Sequence, residues 1–402
     1  MNIFAGVSVF GTLIASVLPA VAIDFETNLE IPPIESLQRI RSVAEHEQQE
    51  VRNNFFALAT SEASSIGKTY TILTDHDDEA HLAALRRLKE HHEGEIVQID
   101  DLSALFSNKE ARSALRKRLG DAGYLAIAPR MESYTESTVL GLFHLLCRLD
   151  EDPELDVLPG FLVASSAGKL DQIVTKAIAH QPRPTVEINP VAITLVDSKR
   201  RINALQKAGY FRKFFGEQGK TTPTYLVYSP KAHDAPFLAG DMIWHRQLDG
   251  RQSVVNAFPE GFGRHFREAD LVLMHGHGTV GESCRVSNDA IRQDLSGKVV
   301  LSGSCFSAAP WKFDWPTHAR DRHSESTSFS IHAMEQGAVA SFGHMRLSNG
   351  FRYLYPVFEE LYSGASIGVA YHKLLNATFA FNARATKAML EPISDVRRPA
   401  QN

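Results

Sequence analysis

The sequence contains little cysteine. Its 402 residues include only three, Cys147, Cys284 and Cys305. Three cysteines cannot build a disulfide-stabilised scaffold or a four-cysteine zinc site. Because the number is odd, at least one thiol is free or pairs with another chain.

The sequence also lacks a strong charge of either sign. It has 42 Lys and Arg residues against 47 Asp and Glu residues, which gives a net charge of −5 with His neutral. This balance provides no global basic field, so neither nucleic acid nor an anionic membrane surface is expected as a partner. The 44% of hydrophobic residues is typical of a soluble globular protein and excludes a mainly disordered chain.

Long apolar runs are absent except at the N-terminus. Residues 1–22 carry no charged side chain and end in Ala20-Val21-Ala22, a pattern that signal peptidases accept. The stretch predicts a signal peptide that is cleaved after Ala22 and a secreted or periplasmic protein. An uncleaved anchor and a buried N-terminal helix are the alternatives, since about 20 apolar residues could just span a bilayer.

After a polar arm or pro-segment at residues 23–65, short β-rich segments alternate with helical patterns. This alternation predicts βαβ units and a mostly parallel sheet flanked by helices. We expect one α/β subdomain at residues 66–184, a related one at residues 185–396, and a polar tail at residues 397–402. The predicted strands are 69–74, 95–99, 124–128, 155–163, 191–196, 224–228, 271–274, 299–302 and 338–342. The predicted helices are 81–92, 109–119, 135–148, 168–180, 198–215, 328–335, 354–362 and 366–378.

Two predicted strands of the second half end in reactive side chains. Residues 271–274 run into His275-Gly276-His277-Gly278, and residues 299–302 run into Gly303-Ser304-Cys305. In a parallel sheet these strand ends lie on the same edge, where ligands bind. Each residue alone is more often structural, because cysteine is commonly a small buried residue. Together, a thiol and an imidazole on one edge indicate a cysteine nucleophile with its acid/base partner.

The same motifs resemble the clan CD cysteine peptidases, and within them the gingipain-type family. Gly276-His277-Gly278 is similar to the Gly-His-Gly of that family, and Cys305 followed by Phe313-Asp314 is similar to its Cys and later Phe-Asp. The resemblance is firm over residues 270–345 and looser elsewhere between 69 and 380. It implies a caspase-like catalytic subdomain at residues 185–396, preceded by the related α/β subdomain. The caspase Gln-Ala-Cys string is absent.

The expected activity is therefore hydrolysis of peptide bonds in a peptide or protein substrate through a thioester acyl-enzyme. Cys305 would be the nucleophile and His277 the general acid/base, while the N–H groups of Gly278 and Cys305 would hold the oxyanion. Such a site needs no metal and no organic cofactor. The family's Gly-Asp string is replaced by Pro129-Arg130-Met131-Glu132, so the sequence does not identify an acidic partner for His277.

Three further residues are candidates for substrate binding. Asp197 directly follows the strand at residues 191–196, and in clan CD enzymes this position commonly contributes to the pocket for the residue before the scissile bond. A carboxylate there would favour Arg or Lys, although Asp197 could instead cap the next helix. Trp311 and Trp315 could line a cleft or pack beneath their loop.

Two other function classes stay open. One is a caspase-like pseudoenzyme that serves as a binding scaffold, and the other is a Cys-His hydrolase or acyltransferase that acts on a non-peptide substrate. Gly67-Lys68-Thr69 does not form a phosphate-binding loop, because Glu62 occupies the position of the first glycine. The histidines that follow Cys305 match no standard zinc spacing. The oligomeric state is not predicted.

Overall fold

The structure is a computed structural model that describes a large part of the chain. The described residues are 9–11, 69–119, 122–146, 149, 155–181, 187–197, 201–249, 254–310, 328–345 and 355–376, except for 107, 231, 233–237, 239 and 293–294. The predicted leader and arm therefore lie outside the described residues, apart from a short strand, β1 (Val9–Gly11).

The N-terminal sheet has four parallel strands in the order β3-β2-β4-β5. Its strands are β2 (Thr69–Thr74), β3 (Glu95–Gln98), β4 (Ala122–Ala128) and β5 (Leu158–Phe161). The helices that accompany it are α1 (Glu79–His91), α2 (Lys109–Leu119), α3 (Glu136–Leu146) and α4 (Ala167–Ala179). Two of these helices have a side-chain N-cap. Asp78 accepts a hydrogen bond from the His81 N–H at the start of α1, and Ser166 accepts one from the Lys169 N–H at the start of α4.

The second sheet has seven strands, all paired in parallel, in the order β1-β14-β13-β9-β6-β7-β8. Its members after β1 are β6 (Pro190–Val196), β7 (Thr224–Tyr228), β8 (Ile243–Gln247), β9 (Leu271–His275), β13 (Val299–Ser302) and β14 (Ala340–Gly343). The helices of this half are α5 (Arg201–Glu217), α6 (Glu260–Glu268), α7 (Phe329–Glu335) and α8 (Tyr355–Tyr362). Residues 367–376 are also helical.

The central strands of this sheet are buried on both faces. Every residue of β6 and of β9 is buried, which explains why these strands are continuous apolar runs rather than alternating patterns. One hydrophobic core includes Ile72 and Ile127 of the N-terminal sheet together with Ile193 and Leu273 of the second sheet. The two halves are therefore packed against each other.

A small antiparallel sheet follows β9 and completes the architecture. It contains β10 (Gly278–Thr279), β11 (Glu282–Ser283) and β12 (Val286–Ser287), in that order. The turn between β11 and β12 places Cys284 and Arg285 at φ values of 55° and 61°. Two consecutive left-handed residues are what a two-residue hairpin of this kind requires.

The expected fold class is confirmed. The chain is an α/β protein with two parallel sheets flanked by helices, and apart from β1 the strands of the four-stranded sheet precede those of the seven-stranded sheet. Among the described residues, no helix is both long and apolar enough to cross a membrane.

Candidate active site

Three neighbouring strands of the second sheet lead to the candidate site. Asp197 follows β6, His277 comes two residues after β9, and Cys305 comes three residues after β13. Strand β9 lies between the other two in the sheet, with Met274 paired to both Ser302 and Ile193. The carboxyl ends of these strands are therefore level, and they bring the three residues to the same edge.

The loop that carries His277 lies directly against the loop that carries Cys305. A Cβ atom at Gly278 would lie 2.7 Å from Ser304 Cβ, 2.7 Å from the Glu282 carbonyl oxygen and 3.2 Å from the Cys305 carbonyl oxygen. Distances this short exclude any side chain larger than hydrogen at position 278 unless the backbone moves. Gly278 thus allows the close approach of the two loops.

A second glycine seats the His277 loop on β6. A Cβ atom at Gly276 would lie 2.4 Å from the Cβ of Leu195 and 3.2 Å from its backbone nitrogen. The two glycines on either side of His277 therefore have different neighbours, one on β6 and one on the Cys305 loop. The backbone on either side of His277 is therefore packed against β6 at Gly276 and against the Cys305 loop at Gly278.

His277 is hydrogen-bonded to a carboxylate. Its Nε2 lies 3.1 Å from Asp197 Oδ2, and the side chains are 45% and 26% exposed. An ionised carboxylate accepts here, so the imidazole donates from Nε2 and the neutral ring has its lone pair on Nδ1. A hydrogen bond of this kind fixes the tautomer and the orientation of the His277 ring.

Cys305 is mostly buried in a tight turn beyond β13. It packs with Val280, Phe306 and Ala309, and the next residue, Phe306, has a left-handed φ of 57°. The turn is closed by the Ala309 N–H, which donates to the Phe306 carbonyl at 3.0 Å. The Gly303 N–H donates to the Met274 carbonyl at 2.8 Å and so fixes the start of the turn to β9.

Beneath the turn lies a cluster of buried hydroxyl groups, which we call the serine cluster (Ser283, Ser302 and Ser304). The Ser283 Oγ lies 2.8 Å from Ser302 Oγ and 2.9 Å from Ser304 Oγ. Ser304 Oγ also accepts from the Cys284 N–H at 3.2 Å. The cluster joins the hairpin that follows His277 to the residue immediately before Cys305.

Cys284 differs from Cys305 in its surroundings. Its side chain is fully buried, and the thiol donates to the Ile193 carbonyl at 3.6 Å. Burial raises the pKa of the Cys284 thiol to about 12, so the thiol stays protonated at neutral pH. Because the thiolate is the reactive form, Cys284 is unsuited to be a nucleophile.

The sequence-predicted residues divide into two groups. His277, Gly278, Cys305 and Asp197 lie together on one edge of the sheet, and His275 ends β9 as a buried residue. Trp311, Trp315 and Cys147 lie outside the described residues. The sequence does not predict the hydrogen bond from His277 to Asp197, because Pro129-Arg130-Met131-Glu132 replaces the Gly-Asp string of the family and no other acidic partner is identified.

Comparisons with known proteins support the fold. No family model matches the chain, and no curated protein matches it. A solved structure described as a protease matches with a TM-score of 0.52 and 12% sequence identity, over 81% of this chain and 75% of that one. The two chains share a fold. At 12% identity the comparison shows a common fold and not a common activity.

Two transcarbamoylases are much more distant. An aspartate transcarbamoylase from Trypanosoma cruzi has a TM-score of 0.19 at 11% identity and covers 77% of this chain and 97% of its own. An ornithine carbamoyltransferase from Coccidioides immitis has a TM-score of 0.20 at 12% identity and covers 84% of this chain and 92% of its own. Scores this low carry no structural argument.

Proposed function

We propose that this protein is a gingipain-like cysteine endopeptidase. The observation that carries the proposal is that Cys305, His277 and Asp197 follow three adjacent parallel strands, and that Gly278 seats the histidine loop against the Cys305 turn. The protease fold of the related structure supports the same class. No metal or organic cofactor enters the proposed reaction.

The chemistry follows from the roles that these groups can take. Nδ1 of His277 accepts the proton of the Cys305 thiol, while Asp197 stabilises the resulting imidazolium through Nε2. The thiolate then attacks the scissile carbonyl, and the N–H groups of Gly278 and Cys305 bind the oxyanion. His277 returns its proton to the leaving amine, which leaves a thioester on Cys305 that water hydrolyses.

The first experiment is digestion of a mixed peptide library by the purified protein, read by mass spectrometry. We expect internal cleavage that is lost in Cys305→Ser. Cys284→Ser is the matched control, because a hydroxyl can replace the buried thiol as a donor to the Ile193 carbonyl. Cleavage that survives Cys305→Ser would show that Cys305 is not the nucleophile, whereas a folded protein that cleaves nothing would favour the non-peptide hydrolase or the scaffold.

Asp197 has two proposed roles that kinetics can separate. Orientation of His277 affects every substrate, whereas a carboxylate in the substrate pocket affects only substrates with Arg or Lys before the scissile bond. Asp197→Asn is therefore assayed on peptides that carry Arg, Lys, Asp or Leu at that position. A uniform loss of kcat indicates orientation, a loss confined to basic peptides indicates the pocket, and no loss excludes both roles.

Export is proposed from the N-terminal stretch. Cleavage after Ala22 would remove β1, which pairs with β14 from Val9↔Ser341 to Gly11↔Gly343. Sequencing of the N-terminus of the mature protein is the test. We expect it to begin at Ile23, and a mature protein that retains Val9–Gly11 would contradict the proposal.

A further inference from the structure

A second group of chemically reactive side chains lies in the N-terminal half, at the carboxyl end of β2. Strand β2 is flanked by β3 and β4 and ends at Thr74. The chain then continues through His76 and Asp78 into α1, whose first turn contains His81. Two imidazoles and one carboxylate meet at this point, and we call them the β2-edge cluster (His76, Asp78 and His81).

The three side chains converge on one carboxylate oxygen. Asp78 Oδ2 lies 2.6 Å from His81 Nδ1 and 3.8 Å from His76 Nδ1, and one ligand atom from each residue lies within 4.8 Å of the others. Ligand atoms around a tetrahedral ion with bonds of about 2.0–2.1 Å are separated by roughly 3.4 Å. The observed separations lie on both sides of that value, so shifts of about 1 Å in the ligand atoms would close the site.

The backbone of the cluster is held firmly before any ligand binds. The His76 N–H donates to Thr74 Oγ1 at 3.1 Å, and the His76 carbonyl accepts from Gln98 Nε2 at 2.9 Å. Asp78 Oδ1 accepts the helix-capping bond from the His81 N–H at 3.1 Å. The capping bond uses Oδ1, and Oδ2 is the oxygen that faces both imidazoles.

Burial also suits a ligand site. The side chains of His76 and His81 are only 7% and 18% exposed, whereas that of Asp78 is 48% exposed. The imidazoles are therefore shielded, and solvent reaches the cluster from the carboxylate side. The rings are stacked, with centroids 4.0 Å apart and planes at 11°, so His81 must turn for both Nδ1 lone pairs to point at one ion.

We propose that the β2-edge cluster binds one divalent transition-metal ion of the zinc class. His76 Nδ1, Asp78 Oδ2 and His81 Nδ1 are the protein ligands, and a solvent molecule takes the fourth position. Two imidazoles favour zinc, cobalt, nickel or copper over magnesium or calcium, which prefer oxygen ligands. The bound ion would link the end of β2 to the first turn of α1. The site does not depend on the proposed peptidase activity.

The test is titration of the metal-free full chain with Zn²⁺ by calorimetry and with Co²⁺ by visible absorption. The protein carries Cys305→Ser, because a thiol beside a histidine would itself bind these ions. We expect one equivalent of either metal and the absorption bands of four-coordinate Co²⁺. Mg²⁺ and Ca²⁺ should not compete.

Three variants and one control locate the ion. His76→Ala, His81→Ala and Asp78→Asn should each weaken binding by at least the roughly 10–100-fold that loss of an outer-shell partner costs. Asp78→Asn is the most informative variant, since Asn preserves the helix cap and should leave the melting temperature of the metal-free protein unchanged. His91→Ala, in the last turn of the same helix, should bind normally.

Two results would overturn the proposal. One is the absence of stoichiometric binding. The other is binding that survives both His76→Ala and Asp78→Asn, because the ion would then lie elsewhere. In either case, the contact between Asp78 and His81 would be a helix cap and nothing more.

Discussion

Gly278→Ala is the most direct test of the proposed active site. The added Cβ would lie 2.7 Å from Ser304 Cβ and 2.7 Å from the Glu282 carbonyl oxygen, whereas ordinary contact begins at 3.4 Å. The difference is 0.7 Å, and neither neighbour can rotate away, because one is a Cβ atom and the other is backbone. The histidine loop and the Cys305 turn must therefore separate.

A separation of this size should cost activity far more than stability. Overpacking of a close contact costs about 1–3 kcal/mol, while displacement of catalytic groups by about 1 Å can lower the rate by roughly 100-fold. We expect Gly278→Ala to fold, with a reduced melting temperature. We expect kcat/KM on a peptide substrate to fall by about two orders of magnitude.

The assay compares this variant with Gly281→Ala in the same hairpin. A Cβ at Gly281 would meet a single atom, Asn288 Nδ2, at 4.0 Å, so the control adds the same methyl group without a clash. Kinetics and thermal unfolding are measured for both. If folded Gly278→Ala stays within threefold of the parent, or if Gly281→Ala loses as much activity, the contact between the two loops does not set the catalytic geometry.

Three further predictions follow from buried groups. Ser304→Ala should lower the free energy of unfolding by about 1–3 kcal/mol, because it leaves the buried Cys284 N–H without an acceptor. Ser341→Ala, which removes a buried hydroxyl with no hydrogen bond in the described part of the chain, should be nearly neutral in the same denaturant titration. A thiol-directed reagent at neutral pH should modify Cys305 before Cys284, whose pKa burial raises to about 12, and peptide mapping that shows the reverse order would contradict the assignment. Burial, together with the neighbouring His91, lowers the pKa of His92 from 6.5 to about 4. As the pH falls from about 6.5 to about 4, His92 is therefore protonated in the unfolded chain but not in the folded one. The melting temperature should therefore rise with pH between about 4 and 6.5. If the melting temperature of His92→Gln rises equally over the same range, His92 is not the cause.

The sequence predicts the buried strands well and the exposed ones poorly. The bounds predicted for β2, β7 and β13 agree with the structure, because these short runs of β-branched, aromatic and apolar residues are buried almost throughout. The strand predicted at residues 155–163 is too long, since β5 spans only Leu158–Phe161. Strand β8 was missed, since this edge strand has three exposed residues among its five. The sequence does not predict helix α6, because its two glycines disfavour a helix and outweigh the helical spacing of Phe262 and Phe266.

The candidate site was predictable only in part, for a topological reason. His277 and Cys305 are recognisable because each follows an apolar strand within a few residues. Asp197 is recognisable in the same way and is predicted as a substrate-binding residue, but its pairing with His277 is not, because β6 is followed in sequence by β7 and has β9 as its other neighbour in the sheet. A contact that depends on the order of strands in the sheet can be predicted only once the fold is known.

The same topology explains why the two described cysteines differ. Cys284 lies in a hairpin turn that folds back under β13, so its thiol is sealed between the serine cluster and the Ile193 carbonyl. Cys305 lies beyond the end of β13, where the left-handed Phe306 turns the chain. Cys284 is 0% exposed and Cys305 is 9% exposed. Burial suppresses the thiolate of Cys284, whereas Cys305, although mostly buried, lies at the edge of the sheet where the proposed substrate would bind. The residues next to the two cysteines do not predict this difference in burial, because each cysteine directly follows a serine.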